Sequence, residues 1–95
     1  MTNDPGNYFL VKLVKGPAWK PGLSLDLVWL QLRHMRNLWR LQRMKKVALA
    51  GPISGGEQIR GIVVFRAASE DEVRELIESD PAVKNGRLSY QIGPL

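Results

Sequence analysis

Residues 59–81 read IRGIVVFRAASEDEVRELIESDP, a strand followed by a helix with both boundaries written into the chain. Ile59 to Ala67 is rich in β-branched and aromatic residues, which suit a pleated, half-buried surface. Ser69 with Glu72 three residues on forms a capping box, so the sequence predicts a short acidic helix starting there. Asp80-Pro81 is expected to stop it, because the residue before a proline is pushed out of the helical region. Within that helix Val73, Leu76 and Ile77 share one side, and Asp80 continues their line.

Upstream, VALAGPI (47–53) reads as a strand that ends at Pro52 and the turn Ser54-Gly55-Gly56. Before it, the pattern from Leu25 to about Lys46 is helical, with Ser24 as N-cap and Asp26 in the first turn. YFLVKLVK (8–15) alternates as a strand does, GPAWKPG (16–22) is too punctuated for anything but a loop, and residues 1–7 form a polar, flexible N-terminal tail. Downstream, RLSYQI (87–92) supplies a last strand. The order βαββαβ defines an α+β, ferredoxin-like domain over residues 1–95: a four-stranded antiparallel sheet with two helices on one face. The first strand is apolar on both sides, with Phe9, Val11 and Leu13 on one and Tyr8, Leu10 and Val14 on the other. A sheet apolar on both faces argues for a partner sheet, and so for a homodimer.

Composition excludes several classes. With no cysteine and a single histidine, a Cys/His zinc cluster cannot form within one chain, and no segment has the Asp/Asn spacing of a calcium loop. No apolar run approaches the roughly 18 residues of a membrane span. The start, MTNDPGNY, lacks the basic and apolar segments of a secretory signal, which leads to an expected cytoplasmic location. The net charge of +5 suits a polyanionic partner. Six of the 14 Lys and Arg lie between residues 33 and 46, so the orientation of the first helix decides what that charge does.

On a helical wheel Arg33, Arg36, Arg40 and Arg43 fall within an arc of about 80°, with Trp29 among them. Leu25, Val28, Leu32, Met35 and Trp39 form a second stripe. Leu27, Leu30, Leu38 and Leu41 form a third beside it, giving an expected apolar surface about 200° wide. His34 sits in the third stripe, opposite the arginines. A lone histidine on an apolar face is ordinarily a satisfied core residue; the alternative is an imidazole facing a pocket. The arginine stripe is ordinarily a solvated face, with a phosphate or acidic partner as the alternative.

In this fold the first helix ends and the second begins at the same edge of the sheet. His34 is about 18 Å of rise from Lys46, and Asp80 about 15 Å from Glu70, so the two side chains reach similar heights. An Asp80–His34 pair would fix the imidazole's orientation and tautomer, the arrangement of a positioned general base. Taken alone, Asp80 is better explained as the helix stop before Pro81, and both readings can hold together.

His34, then Gly51-Pro52 seventeen residues on, then Asp80-Pro81 before Gly86 and a last strand with Tyr90, resembles the YCII-related family of dimeric α/β-barrel proteins over about residues 8–93. The resemblance implies a ferredoxin-like dimer with an active site at a His–Asp pair, here His34 and Asp80. Some relatives eliminate chloride from chlorinated hydroxyquinols, and the similar muconolactone isomerases move a proton in a lactone. The chain departs from the family in its longer 16–23 loop, which carries Trp19, and in its Arg-rich helix. Trp19 is read as a dimer contact or surface anchor, with closure over a ligand as the alternative.

RNA-binding domains with the same element order are a rival, because Arg60-Gly61-Ile62-Val63-Val64-Phe65 echoes their third-strand motif. Ile62 and Val64 stand where stacking rings are needed, so nucleic acid is not the expected partner. No serine lies in a nucleophile elbow, Ser54-Gly55-Gly56 is a turn rather than a phosphate cradle, and Glu57 is read as solvated. Tyr8 and Tyr90 are read as packing residues. The expected function is proton transfer on a small aromatic or cyclic substrate, of isomerase or lyase type. His34 would be the acid or base, Asp80 its orienting group, and the Gly51-Pro52-Ile53-Ser54 turn the border of the ligand site, without metal or cofactor. A non-catalytic dimer that binds a small ligand or a partner protein shares this pocket and differs only in chemistry.

Overall fold

The computed structural model describes residues 7–20, 24–54 and 58–94. Residues 1–6 of the expected tail, and Gly55, Gly56 and Glu57 beyond Ser54, lie outside the described residues. Strand β1 (Asn7–Lys15) is followed by helix α1 (Leu25–Arg43), strands β2 (Val47–Pro52) and β3 (Ile59–Ala67), helices α2 (Glu70–Glu78) and α3 (Pro81–Lys84), and strand β4 (Leu88–Pro94). Asn7, expected in the tail, already pairs with Ala67.

The sheet is antiparallel, in the order β2-β3-β1-β4. β1 lies in the middle, with Val11 opposite Val63 on one side and Ile92 on the other. Because side chains alternate along a strand, Val11, Leu13, Val63, Phe65 and Ala67 share one face, and all are buried. They pack with Leu41 of α1 and with Val73 and Ile77 of α2 to form the core. Burying each of these side chains larger than alanine contributes on the order of 1.5–3 kcal/mol. On the opposite face Leu10, Val14, Ile62 and Val64 are half-buried, and no helix covers them.

α1 begins where Ser24 Oγ accepts a hydrogen bond from the Leu27 amide at 3.2 Å. It ends three residues before the expected Lys46. Lys45 adopts a left-handed backbone conformation (φ 65°) and reverses the chain, so that Lys46 O accepts from Arg66 N and β2 starts beside β3. The helix rests on β2 and α3 and buries only the stripe of Leu30, His34, Leu38 and Leu41. The expected 200° apolar surface is therefore not covered within one chain: Leu25 is 77% and Trp39 61% exposed, and Val28 and Leu32 are exposed beside them. Arg33, Arg36, Arg40 and Arg43 face outward, as a solvated stripe should.

The capping box opens α2, with Ser69 Oγ accepting from Glu72 N at 3.2 Å and Glu72 Oε1 accepting from Ala68 N at 2.9 Å. Asp80-Pro81, expected only to end this helix, also starts another. Asp80 caps α3 by accepting from Ala82 N at 2.9 Å, and Pro81 occupies the first turn, where its missing N–H is not needed. This third helix lies between α1 and β4 and was not expected. No described helix is long and apolar enough to cross a membrane.

Candidate active site

His34 and Asp80 meet in the interior. Asp80 is fully buried and His34 is 5% exposed, and Nδ1 of His34 lies 2.9 and 2.8 Å from the two carboxylate oxygens of Asp80. Burying a carboxylate is costly unless its lone pairs are used. Here they are: Oδ1 also accepts from Asn37 Nδ2 at 3.0 Å, and Oδ2 also accepts from the Ala82 amide. An ionised carboxylate only accepts, so with Asp80 in that form Nδ1 is the donor of the pair, and Nε2 of a neutral ring carries the lone pair. The N-cap geometry of α3 aims the carboxylate, and the 34, 37 spacing on α1 brings His34 and Asn37 to it from one helix face. Arg40 extends the line by donating to Asn37 Oδ1 at 2.8 Å.

A cavity of about 580 Å³ opens beside the imidazole. His34, Leu38 and Met35 line it from α1, and Gly51, Pro52, Ile53 and Ser54 border it from the end of β2. Gly61 and Val63 supply part of its floor. A side chain at position 61 would press on Gly51 O at 3.0 Å, so glycine there keeps β2 and β3 close at this rim. The volume lies within the roughly 300–1,000 Å³ of small-molecule sites, and the lining is mainly apolar with a few polar groups.

The remaining wall is basic and aromatic. Trp19 lies half-buried in a turn pinned by Gly16 N donating to Arg87 O and Ala18 N to Gly86 O, both at 2.8 Å. The guanidinium carbons of Arg87 and Arg60 lie 4.1 and 4.8 Å from its ring centre, and Lys15 Nζ lies 5.6 Å away. Trp19, Arg60 and Arg87 all line the cavity. Tyr90, read as a packing residue, lies away from it: its hydroxyl donates to Glu78. Burial pushes the Tyr90 phenol up, the bond to Glu78 adds to this, and Arg74 opposes it. Among the described residues no three of His, Cys, Asp or Glu gather as a metal site would require.

Three of these groups escaped the sequence. Asn37 stands one turn after His34, a spacing that signals a shared target once Asp80 is assigned. Arg60 and Arg87 carry no local signal, since only the docking of the Trp19 turn on Gly86 brings them together.

A βαββαβ domain with a buried imidazole–carboxylate pair at a cavity belongs to the ferredoxin-like α+β class. The YCII-related domain matches residues 30–95, and the chain belongs to that family. No curated protein matches the chain. Among solved structures it is similar to the 5-chloro-2-hydroxyhydroquinone dehydrochlorinase of Burkholderia phenoliruptrix, determined in complex with 2,5-dihydroxybenzoquinone. The likeness has a TM-score of 0.69 at 23% identity and covers 93% of this chain and 92% of that one. At 93% of the chain, that likeness takes in more than the family match over residues 30–95.

Proposed function

We propose that the chain is an acid–base enzyme of the lyase or isomerase type acting on a small aromatic or cyclic compound. The observation that carries this is the Nδ1–Asp80 contact of 2.8 Å beside a cavity that His34 lines; with Nδ1–H donating to an ionised Asp80, Nε2 would be the nitrogen that acts as base. In the reaction, Nε2 takes a proton from a saturated ring carbon beside a carbonyl, as in the keto tautomer of a phenol, and the C–H electron pair moves into the ring to give an enolate. In an elimination that pair expels a neighbouring leaving group as its anion; in an isomerisation the imidazolium returns the proton at another carbon. Asp80 keeps the imidazole oriented, while Gly51, Pro52, Ile53 and Ser54 border the substrate. The chloride-eliminating activity named for the similar dehydrochlorinase is of this kind.

The chain would act as a homodimer, the uncovered sheet face of one copy meeting that of another through Leu10, Val14, Ile62 and Val64. Against nucleic acid stands that same face, where Ile62 and Val64 occupy the positions at which rings would have to stack on bases.

The test is turnover. Purified protein is incubated in D₂O with 2,5-dihydroxybenzoquinone, and ring-proton exchange is followed by NMR; 5-chloro-2-hydroxyhydroquinone is followed by chloride release. Activity on either that falls by about 10²-fold or more in His34→Ala supports the reading. A ligand that binds without exchange or elimination makes the chain a binding module instead.

A further inference from the structure

We propose that Arg40, an exposed residue that does not line the cavity, is a positioning residue for the buried Asp80–His34 pair and acts on it through Asn37. Its effect on a reaction rests on the reading of His34 as the acid–base group; its effect on the placement of Asp80 does not. His34, Asn37 and Arg40 follow one another at intervals of three on α1. Three residues turn a helix through about 300°, so each side chain is set back about 60° from the one before. The series therefore climbs from the core to water: His34 is buried, Asn37 half-buried and Arg40 exposed. A continuous line of hydrogen bonds takes the same course, Arg40 donating to Asn37 Oδ1 at 2.8 Å and Asn37 Nδ2 to Asp80 Oδ1 at 3.0 Å.

The two ends of this line decide how the amide stands. A guanidinium only donates and an ionised carboxylate only accepts. An amide between them satisfies both in one orientation, with its oxygen toward Arg40 and its NH₂ toward Asp80. Turned over, it would set an oxygen against the carboxylate and its NH₂ against the guanidinium. The full charge of Arg40 at the outer end also polarises the amide and strengthens the bond that its NH₂ makes to Asp80. One turn further on, Met44 Sδ steadies the guanidinium by accepting from it at 3.6 Å. Of the donors to Asp80, the Ala82 amide holds the carboxylate to its own helix, α3. Asn37 is the donor that ties it to α1 besides the imidazole itself. The carboxylate's rotation relative to the imidazole therefore depends on how firmly that amide is held.

Arg40 stands apart from its neighbours in this respect. Among the described residues no hydrogen bond joins Arg33, Arg36 or Arg43 to Asn37 or Asp80. All four arginines are exposed and lie on one stripe. A role for the charge of the stripe as a whole would make them interchangeable, whereas a role through Asn37 singles out Arg40.

The experiment compares the full chain with Arg40→Gln, Arg40→Lys, Arg36→Gln and Arg43→Gln, glutamine being nearly as good a helix former as arginine. Without substrate, solvent exchange of the Asn37 side-chain NH₂ is followed by two-dimensional NMR. It is expected to quicken about fivefold in Arg40→Gln, the effect of losing one ordinary hydrogen bond, and to match the wild-type chain in Arg36→Gln and Arg43→Gln. In chloride release from 5-chloro-2-hydroxyhydroquinone, Arg40→Gln should lower kcat about fivefold with KM unchanged. Arg40→Lys, which keeps a charged donor, should recover part of that loss. Adding Arg40→Gln to Asn37→Ala should cost nothing further, because the amide it acts through is gone. A wild-type chain without turnover would end the enzyme reading, and the exchange rates would then decide the placement of Asp80 by themselves. Exchange in Arg40→Gln equal to that of the wild-type chain, or an equal quickening in Arg36→Gln or Arg43→Gln, would overturn the proposal. So would an unchanged kcat in an active chain, a loss confined to KM, or losses that multiply in the double variant.

Discussion

Asn37 donates its side-chain amide to Asp80 Oδ1 at 3.0 Å, one helical turn beyond the histidine bound to the same carboxylate. Two residues of one helix thus hold a single buried acid. Removing the amide in Asn37→Ala is expected to cost about 1–2 kcal/mol, because Asp80 then lacks one of its donors. His34 should keep its Nδ1–H form, since its own bond remains. Urea unfolding gives the first quantity, and the ¹⁵N shifts of the imidazole give the second; an unchanged midpoint would mean that water replaces the amide at no cost.

Asp80 itself has a larger effect. Asp80→Ala strands His34 Nδ1, Asn37 and the Ala82 amide together and removes the cap of α3, with an expected loss of about 3–5 kcal/mol. Asp80→Asn keeps the cap and one acceptor, so it should lose less stability while releasing the tautomer. Its imidazole ¹⁵N spectrum should move toward a mixture of the two neutral forms. A variant spectrum identical to that of the wild-type chain would show that the carboxylate does not set the proton's position.

At the opposite edge, the Lys46 ammonium, 2.7 Å from Glu72, together with the Ala68 amide, holds the Glu72 carboxyl below the usual glutamate range. With a folded value below the unfolded one, this contribution is complete above about pH 4.5, the ordinary value, and is lost as pH falls through the lowered one. Both groups are about a third exposed, so the pair is worth no more than about 1 kcal/mol. Glu72→Gln should lower the melting temperature at neutral pH and match the wild-type chain in strong acid. A difference between the two that does not vary with pH would assign the effect to helix capping alone.

The uncovered sheet face gives a prediction about assembly. Val64→Asp places a charge among Leu10, Val14 and Ile62 and should convert a dimer into a monomer, read by sedimentation at several concentrations. The helix substitution Trp39→Ala should leave the mass unchanged. The reverse pattern would put the contact on the exposed apolar stripe of α1.

Gly16 has room for no side chain, because a Cβ there would run into Gly86 O and the backbone of Arg87 and Leu88. Gly16→Ala should therefore displace the Trp19 turn and lower stability by about 1–3 kcal/mol. The Trp19 indole signal should shift while the His34 signals stay in place. Movement of both would mean that the two ends of the cavity are not independent.

Element order was legible because each boundary carries its own chemistry: Ser69 with Glu72 opens α2, Ser24 opens α1, and β3 is bounded as expected. The height argument that set His34 beside Asp80 needed only helix rise and the order of elements. It did not foresee α3, since Asp80-Pro81 reads equally as the end of one helix and the start of the next, and only packing against α1 decides. The wheel placed His34 on the buried stripe but could not say how wide that stripe was. Its width depends on what lies beside α1, and Leu25, Val28 and Leu32 remain uncovered by β2 and α3. Arg60 and Arg87 lie 27 positions apart, and no periodicity links them.

Asp80 serves both as the N-cap of one helix and as the anchor of a side chain on another. Docking of α3 and orientation of the imidazole are therefore one cooperative event, and neither can be completed without the other. A partly folded copy has no half-formed His34–Asp80 pair, so any activity that depends on the pair should vanish with the global unfolding transition and not before it.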